Sequence, residues 1–121
     1  MAVIDASKET LEGLITGNDI VLVDFWAPWC GPCRQFAPVY ESLSEQYPDI
    51  VFSKVNTEEE QELGAHFRIR SIPTLMVFRE QIIVYSQPGA LPPAGLTAVI
   101  DKAGELDMEQ VRKDIEATQA G

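Results

Sequence analysis

At 121 residues the chain has the length of one ordinary domain, long enough to bury a core without staples. Its 45% hydrophobic and 23% charged residues are a globular balance, and its net charge of −10 repels phosphate, which argues against nucleic acid and anionic membrane as partners. No apolar run approaches the roughly 20 residues of a membrane helix, and "MAVIDASKETLEG" has no basic start followed by an apolar stretch, so a cytoplasmic protein in a reducing compartment is expected.

In chain order, "VID" (Val3–Asp5) reads as a short edge strand. Ser7 is a candidate N-cap for a helix through Leu11, Leu14 and Ile15, which share one face, with Gly17 and Asn18 as the stop. "DIVLVDFW" is a strand whose continuous apolar run fits burial on both faces, with Asp24 embedded in it. After "CGPC" the spacing of Phe36, Val39, Tyr40, Leu43 and Tyr47 predicts a helix with a single apolar face, with Pro38 inside the pattern and Pro48 ending it. "IVFSKV" (Ile50–Val55) is the next strand; Lys54 lies on the same side as Ile50 and Phe52, an odd place for a lysine if that side is buried.

"TEEEQELGAHF" predicts a helix capped by Thr57, with Glu58–Glu60 complementing its positive end. "TLMVFR" and "IIVYSQ" are strands separated by a connection so short that they must form an antiparallel hairpin, and the residues "REQI" argue against a type I′ turn. Gly89 breaks the last strand, "PPAGLTAVIDKA" begins the next helix with Pro92 or Pro93 suited to its first turn, and "DMEQ" (Asp107–Gln110) is a capping-box pattern. Strands alternating with helices, closed by a hairpin, predict a mixed sheet sandwiched by helices.

Both cysteines of the chain lie in "VDFWAPWCGPCRQFAP" (Val23–Pro38). They could form half a metal site, a structural staple or a redox pair. A zinc site needs about four nitrogen or sulfur ligands, and besides Cys30 and Cys33 the chain offers only His66 of those types. Cys30 follows a buried strand and opens a helix, where the backbone N–H groups favour a thiolate over the free thiol of pKa ~8.5. Cys33, one turn on and on the same face, is close enough for a disulfide of ordinary geometry. The chemistry this permits is attack by the Cys30 thiolate on a substrate disulfide, then intramolecular attack by Cys33 on the mixed disulfide. Asp24, a carboxyl inside a buried strand, is expected to be hard to ionise and so usable for proton transfer near neutral pH, with Lys54 pulling the other way.

"VDFWAPWCGPCRQFAPVYESLSEQY", "RIRSIPTLMVF" and "PGALP" resemble the thioredoxin family, over about Ile20 to Lys102. The resemblance implies an α/β thioredoxin fold, a central mixed β-sheet sandwiched by α-helices and mostly antiparallel in its second half. It implies reduction of protein disulfides, with no bound cofactor and with electrons from NADPH through thioredoxin reductase. By matching positions, it makes Cys30 the nucleophile, Cys33 the resolving thiol, Asp24 the buried acid assisting Cys33, and Lys54 the lysine beside that acid. Pro73 matches the cis-proline facing the site, and Ile72 the residue whose backbone pairs with substrate. Trp29, with Gly31 and Pro32, matches the surface beside the nucleophile, Gly89 and Ala90 match the rim of the peptide groove, and Trp26 is the structural tryptophan beneath.

Arg34 stands where the family often has lysine, and Ser71 where it often has glycine. Family members usually end near Lys102–Ala103, so the chain divides into a thioredoxin domain (1–103) and a C-terminal helical extension (104–121), with Met108, Val111 and Ile115 as a thin apolar stripe. The expectation is a monomeric reductase whose partners are disulfide-containing proteins and thioredoxin reductase. The alternatives are a specialised thioredoxin-like subunit, or a non-catalytic binding module using the groove and tail, for which both cysteines in WCGPC would be superfluous.

Overall fold

The computed structural model describes residues 3–120. Its elements, in order, are β1 (Val3–Asp5), α1 (Leu11–Gly17), β2 (Ile20–Trp26), α2 (Gly31–Gln46), β3 (Val51–Asn56), α3 (Gln61–His66), β4 (Thr74–Arg79), β5 (Ile82–Pro88), α4 (Pro93–Glu105) and α5 (Met108–Ala120). The five strands form one sheet in the order β1-β3-β2-β4-β5. β3 pairs in parallel with both β1 and β2, while β4 is antiparallel to β2 and β5 antiparallel to β4. The mixed sheet, antiparallel in its second half, is the one expected.

Strand alternation divides the core in two. On one face Leu22, Phe52, Leu75 and Val77 pack against Phe36, Tyr40 and Leu43 of α2 and Leu96, Ile100 and Ala103 of α4. On the other, Val21, Val23, Phe25, Val55, Met76 and Phe78 pack against Leu11, Leu14 and Ile15 of α1 and Leu63 of α3. β2, central and covered on both sides, is therefore buried almost throughout, as its unbroken apolar run requires. α2 continues through Pro38 to Gln46.

Three local expectations need correction. α1 begins at Leu11 after Thr10, not at Ser7: Ser7 instead closes a turn, its carbonyl accepting from the Thr10 and Leu11 N–H groups while its own N–H donates to Thr10 Oγ1. α3 is only Gln61–His66, because Thr57 spends its hydroxyl and its N–H on the Trp26 carbonyl instead of capping a helix.

The third concerns the β4–β5 connection. Arg79 pairs with Ile82, so the loop is only Glu80 and Gln81, and both have positive φ (50° and 70°), the signature of a type I′ turn. A two-residue link must match the right-handed strand twist, and that requirement overrides the local preference of Glu and Gln for negative φ. Gln81→Gly is therefore expected to stabilise the protein by about 1 kcal/mol, read from urea unfolding midpoints. A lower midpoint would show that the Gln81 side chain matters more than the backbone strain.

The tail forms a helix docked on the body. Asp107 caps α5 by accepting from the Gln110 N–H (3.2 Å), and Met108 is buried. Val111 and Ile115, half-buried, line a groove with Ile82, Ile83 and Val84 of β5. Two neighbouring residues fasten this end: Arg79 Nη1 donates to the carbonyls of Ala103 (2.7 Å), Gly104 and Leu106, and Glu80 pairs with Arg112. Among the described residues no helix is long and apolar enough to cross a membrane.

Candidate active site

The strand-to-turn-to-helix passage at the end of β2 sets the cysteines. The Cys30 N–H donates to the Ala27 carbonyl (3.2 Å), which turns the chain out of the sheet, and Cys30 becomes the N-cap of α2. Its Sγ accepts from the Cys33 N–H at 3.2 Å, so the sulfur itself occupies the capping position at the positive end of a 16-residue helix. Pro32 lies in the first turn, where its missing donor costs nothing. Cys30 and Cys33 are joined in a disulfide with Cα atoms 5.2 Å apart.

Both cysteines are nearly covered, Cys30 5% and Cys33 2% exposed, and pack with Ala27, Trp26 and Ile72. Ile72 precedes a cis Pro73, and its carbonyl oxygen lies 3.8 Å from Cys30 Sγ. The loop before β4 thus sets a backbone carbonyl beside the sulfur. The Gly89 N–H donates to the Pro73 carbonyl (2.8 Å), drawing Gly89 and Ala90, both exposed, to the same rim. Gly89 has φ +106°, a conformation L side chains rarely adopt.

On the other flank Trp29 stands 65% exposed, a large apolar surface beside a reactive pair. Its indole N–H donates to Glu58 Oε1 at 2.6 Å. In the sequence Glu58 is one acidic residue of a helix start, and nothing in "TEEE" marks it as the anchor of an aromatic 29 residues away. Trp29 and Ile72 also line a groove of about 330 Å³ with Gly64, Ile69, Arg70 and Ser71. Arg34 donates to the Pro28 carbonyl (3.0 Å), bracing the turn that carries Trp29.

Beneath the surface, Asp24 is 3% exposed and its Oδ1 has no hydrogen-bond partner among the described residues. Burial pushes its carboxyl up to about 7, with the Lys54 charge opposing. Lys54 stands next to Asp24 in the β2–β3 register, its ammonium 5.0 Å from the centre of the Trp26 ring and 3.7 Å from Asp5. The odd lysine of β3 does share a face with Phe52, with its head at the margin of the core. The residues singled out from the sequence therefore fall into three groups: the disulfide turn (Trp29, Cys30, Gly31, Pro32, Cys33) with Trp26 packed against its cysteines, the rim (Ile72, Pro73, Gly89, Ala90), and the buried Asp24 with the half-buried Lys54 beside it.

Comparison with known proteins agrees with this geometry. Residues 2–102 match the thioredoxin family model. A Streptomyces coelicolor protein named "Putative thioredoxin 2" is 55% identical over 117 residues, covering 97% of this chain and 87% of that one, and so extends over most of the tail. Thioredoxin 1 of Synechococcus elongatus is 48% identical over 104 residues, 84% of this chain and 94% of that one. Among solved structures, a point mutant of a thioredoxin from Halobacterium salinarum superposes with a TM-score of 0.81 at 33% identity, over 87% of this chain and 93% of the other. A capping disulfide at a helix start, on this sheet and with these relatives, gives the conclusion that the chain belongs to the thioredoxin family and is a thiol–disulfide oxidoreductase of the protein-disulfide-reductase type, working through its Cys30–Cys33 pair without a bound cofactor.

Proposed function

We propose that in the reduced protein Cys30 is the nucleophile, Cys33 the resolving thiol, and Asp24, tuned by Lys54, the group that exchanges the proton of Cys33. The observation that carries the reading is the Cys30 sulfur at the N-cap of α2, accepting from the Cys33 N–H. That environment favours a thiolate. The thiolate attacks one sulfur of a substrate disulfide, forming a Cys30–substrate bond and expelling the other substrate sulfur as thiolate. Cys33, its proton passed toward Asp24, then attacks Cys30 Sγ, closing the protein disulfide and releasing the second substrate thiol. Substrate loses one disulfide and gains two thiols; the protein does the reverse.

In this reading the partner is an extended protein segment around a disulfide, pairing with the Ile72 backbone beside cis-Pro73 and resting between Trp29 and the Gly89–Ala90 rim. Gly31 and Pro32 complete that surface. Electrons return from NADPH through thioredoxin reductase, which places the reaction in a reducing compartment, the cytoplasm. The protein acts as a monomer, and its net charge of −10 disfavours nucleic acid and membrane surfaces. Residues 1–103 form the reducing unit and 104–121 an appended helical extension.

The test is reduction of insulin, followed by turbidity, with NADPH and a thioredoxin reductase. Turnover that consumes NADPH in step with released thiols is the expected result. Failure to reduce insulin with either reductase or dithiothreitol as the electron source would overturn the general-reductase reading.

A further inference from the structure

Lys54 has a carboxylate on each side. In the β1-β3-β2 part of the sheet, Asp5 is the register partner of Lys54 on one flank and Asp24 on the other. Register partners on neighbouring strands point to the same face, so the three side chains form a row across the sheet: carboxylate, ammonium, carboxylate. The two ends of the row differ sharply. The Asp5 side chain is 84% exposed, on an edge strand, whereas Asp24 is enclosed and has apolar Leu75 as its partner on β4. The ammonium goes to the wet end. Lys54 Nζ lies 3.7 Å from Asp5 Oδ1, while Asp24 Oδ1 has no hydrogen-bond partner among the described residues.

We propose that Asp5 is a positioning residue for the thiol–disulfide chemistry: by holding the Lys54 ammonium at the solvent end of the row, it keeps that charge off the Asp24 carboxyl and leaves the carboxyl poised for proton exchange. The proposal rests on the reading of Asp24 as the proton-exchanging group. An exposed ion pair of this length adds little to stability, so its consequence is where a charge sits, not how firmly the fold is held. The remaining groups around the ammonium do not substitute for Asp5. The Trp26 ring holds it from the side at 5.0 Å. Glu59 and Glu60, from the turn after β3, line the same polar cavity of about 450 Å³, but Glu60 already accepts from the Lys8 N–H (2.9 Å) and neither is within ion-pair distance of Lys54. From α2, Tyr40 presents a neutral hydroxyl that donates to the Ser53 carbonyl.

The experiment follows the Asp24 carboxyl by carbon-13 NMR through a pH titration of the full chain, in wild type, Asp5→Asn, Asp5→Glu, Lys54→Met and the Asp5→Asn/Lys54→Met double variant. Loss of the Asp5 charge frees the ammonium to turn toward Asp24, which favours the ionised carboxyl; the direct effect of the exposed Asp5 charge, two strands away, is small. The Asp24 midpoint in Asp5→Asn is expected to move to lower pH by roughly 0.5–1 unit. Asp5→Glu restores it, and the move largely vanishes when Lys54 is Met. The pH profile of insulin reduction shifts in the same direction. An unchanged midpoint, a shift to higher pH, or an equal shift in the Lys54→Met background would each overturn the proposal. Insulin turnover absent from the wild type would instead sink the reductase reading, while the titration still decides whether Asp5 governs Asp24.

Discussion

Replacing Cys33 by serine is expected to turn the protein from a catalyst into a trap. With Cys30 intact at the N-cap of α2, attack on a substrate disulfide still forms the Cys30–substrate bond, but nothing internal then breaks it. In the wild type the two residues are one helical turn apart, with Cα atoms 5.2 Å from each other, so the resolving step is intramolecular. Groups held this way reach effective concentrations of ~10⁵ M or more, against millimolar thiol in solution, and steady-state turnover should fall by at least ~10³-fold. The covalent adduct should accumulate on non-reducing gels, with the mass of protein plus substrate, and dissolve on adding dithiothreitol. Cys30→Ser should lose turnover as fully and accumulate no adduct, because Cys33 is the more enclosed sulfur and lacks the capping position. An adduct through Cys33 in that variant would reverse the assigned roles.

The second large effect is on stability, and its sign depends on pH. Asp24 has an ordinary value of 3.8 that burial raises to about 7. Between these values the folded chain keeps a proton that the unfolded chain has released. Stability from this group is thus fully present below about pH 4 and is lost as pH rises through about 7. The full loss is about 4 kcal/mol, taking about 1.36 kcal/mol for each pH unit between the two values. Asp24→Asn removes the titration while keeping the shape. At about pH 8 the variant is expected to be more stable than wild type by about 2–4 kcal/mol, the gain shrinking toward zero as pH approaches about 4. Urea unfolding of the oxidised proteins at several pH values measures this. A gain equal at about pH 5 and about pH 8, or a loss at the higher value, would contradict the account. A protein that keeps a destabilising carboxyl in its core is expected to use it, and the same variant should slow the resolving step.

How legible this was in the sequence depends on how local the cause is. The buried strand Ile20–Trp26, the helix opening at the cysteines and the hairpin follow from apolar runs, a proline in a first turn and the shortness of a connection, all within a few residues. Lys54 was visible as an anomaly, a charge on an apolar face, although its partners were not. Local spacing misleads where a distant or geometric demand prevails. Thr57 looked like a cap but is claimed by the Trp26 carbonyl across the sheet, and Glu80–Gln81 look unsuited to a type I′ turn that strand twist imposes on them. Glu58 anchoring Trp29, and Arg79 gathering the carbonyls at the end of α4, join residues 24 or more positions apart, and short-range spacing does not encode such pairs.

The β4–β5 hairpin has one further consequence. Its open end is stitched to the active site, where the Gly89 N–H meets the Pro73 carbonyl, and its closed end is tied to α5 through Glu80 and Arg112. The six residues of β4 set these two attachments roughly 20 Å apart along a nearly rigid ribbon. The appended helix is therefore moored at the pole of the ribbon opposite the sulfurs.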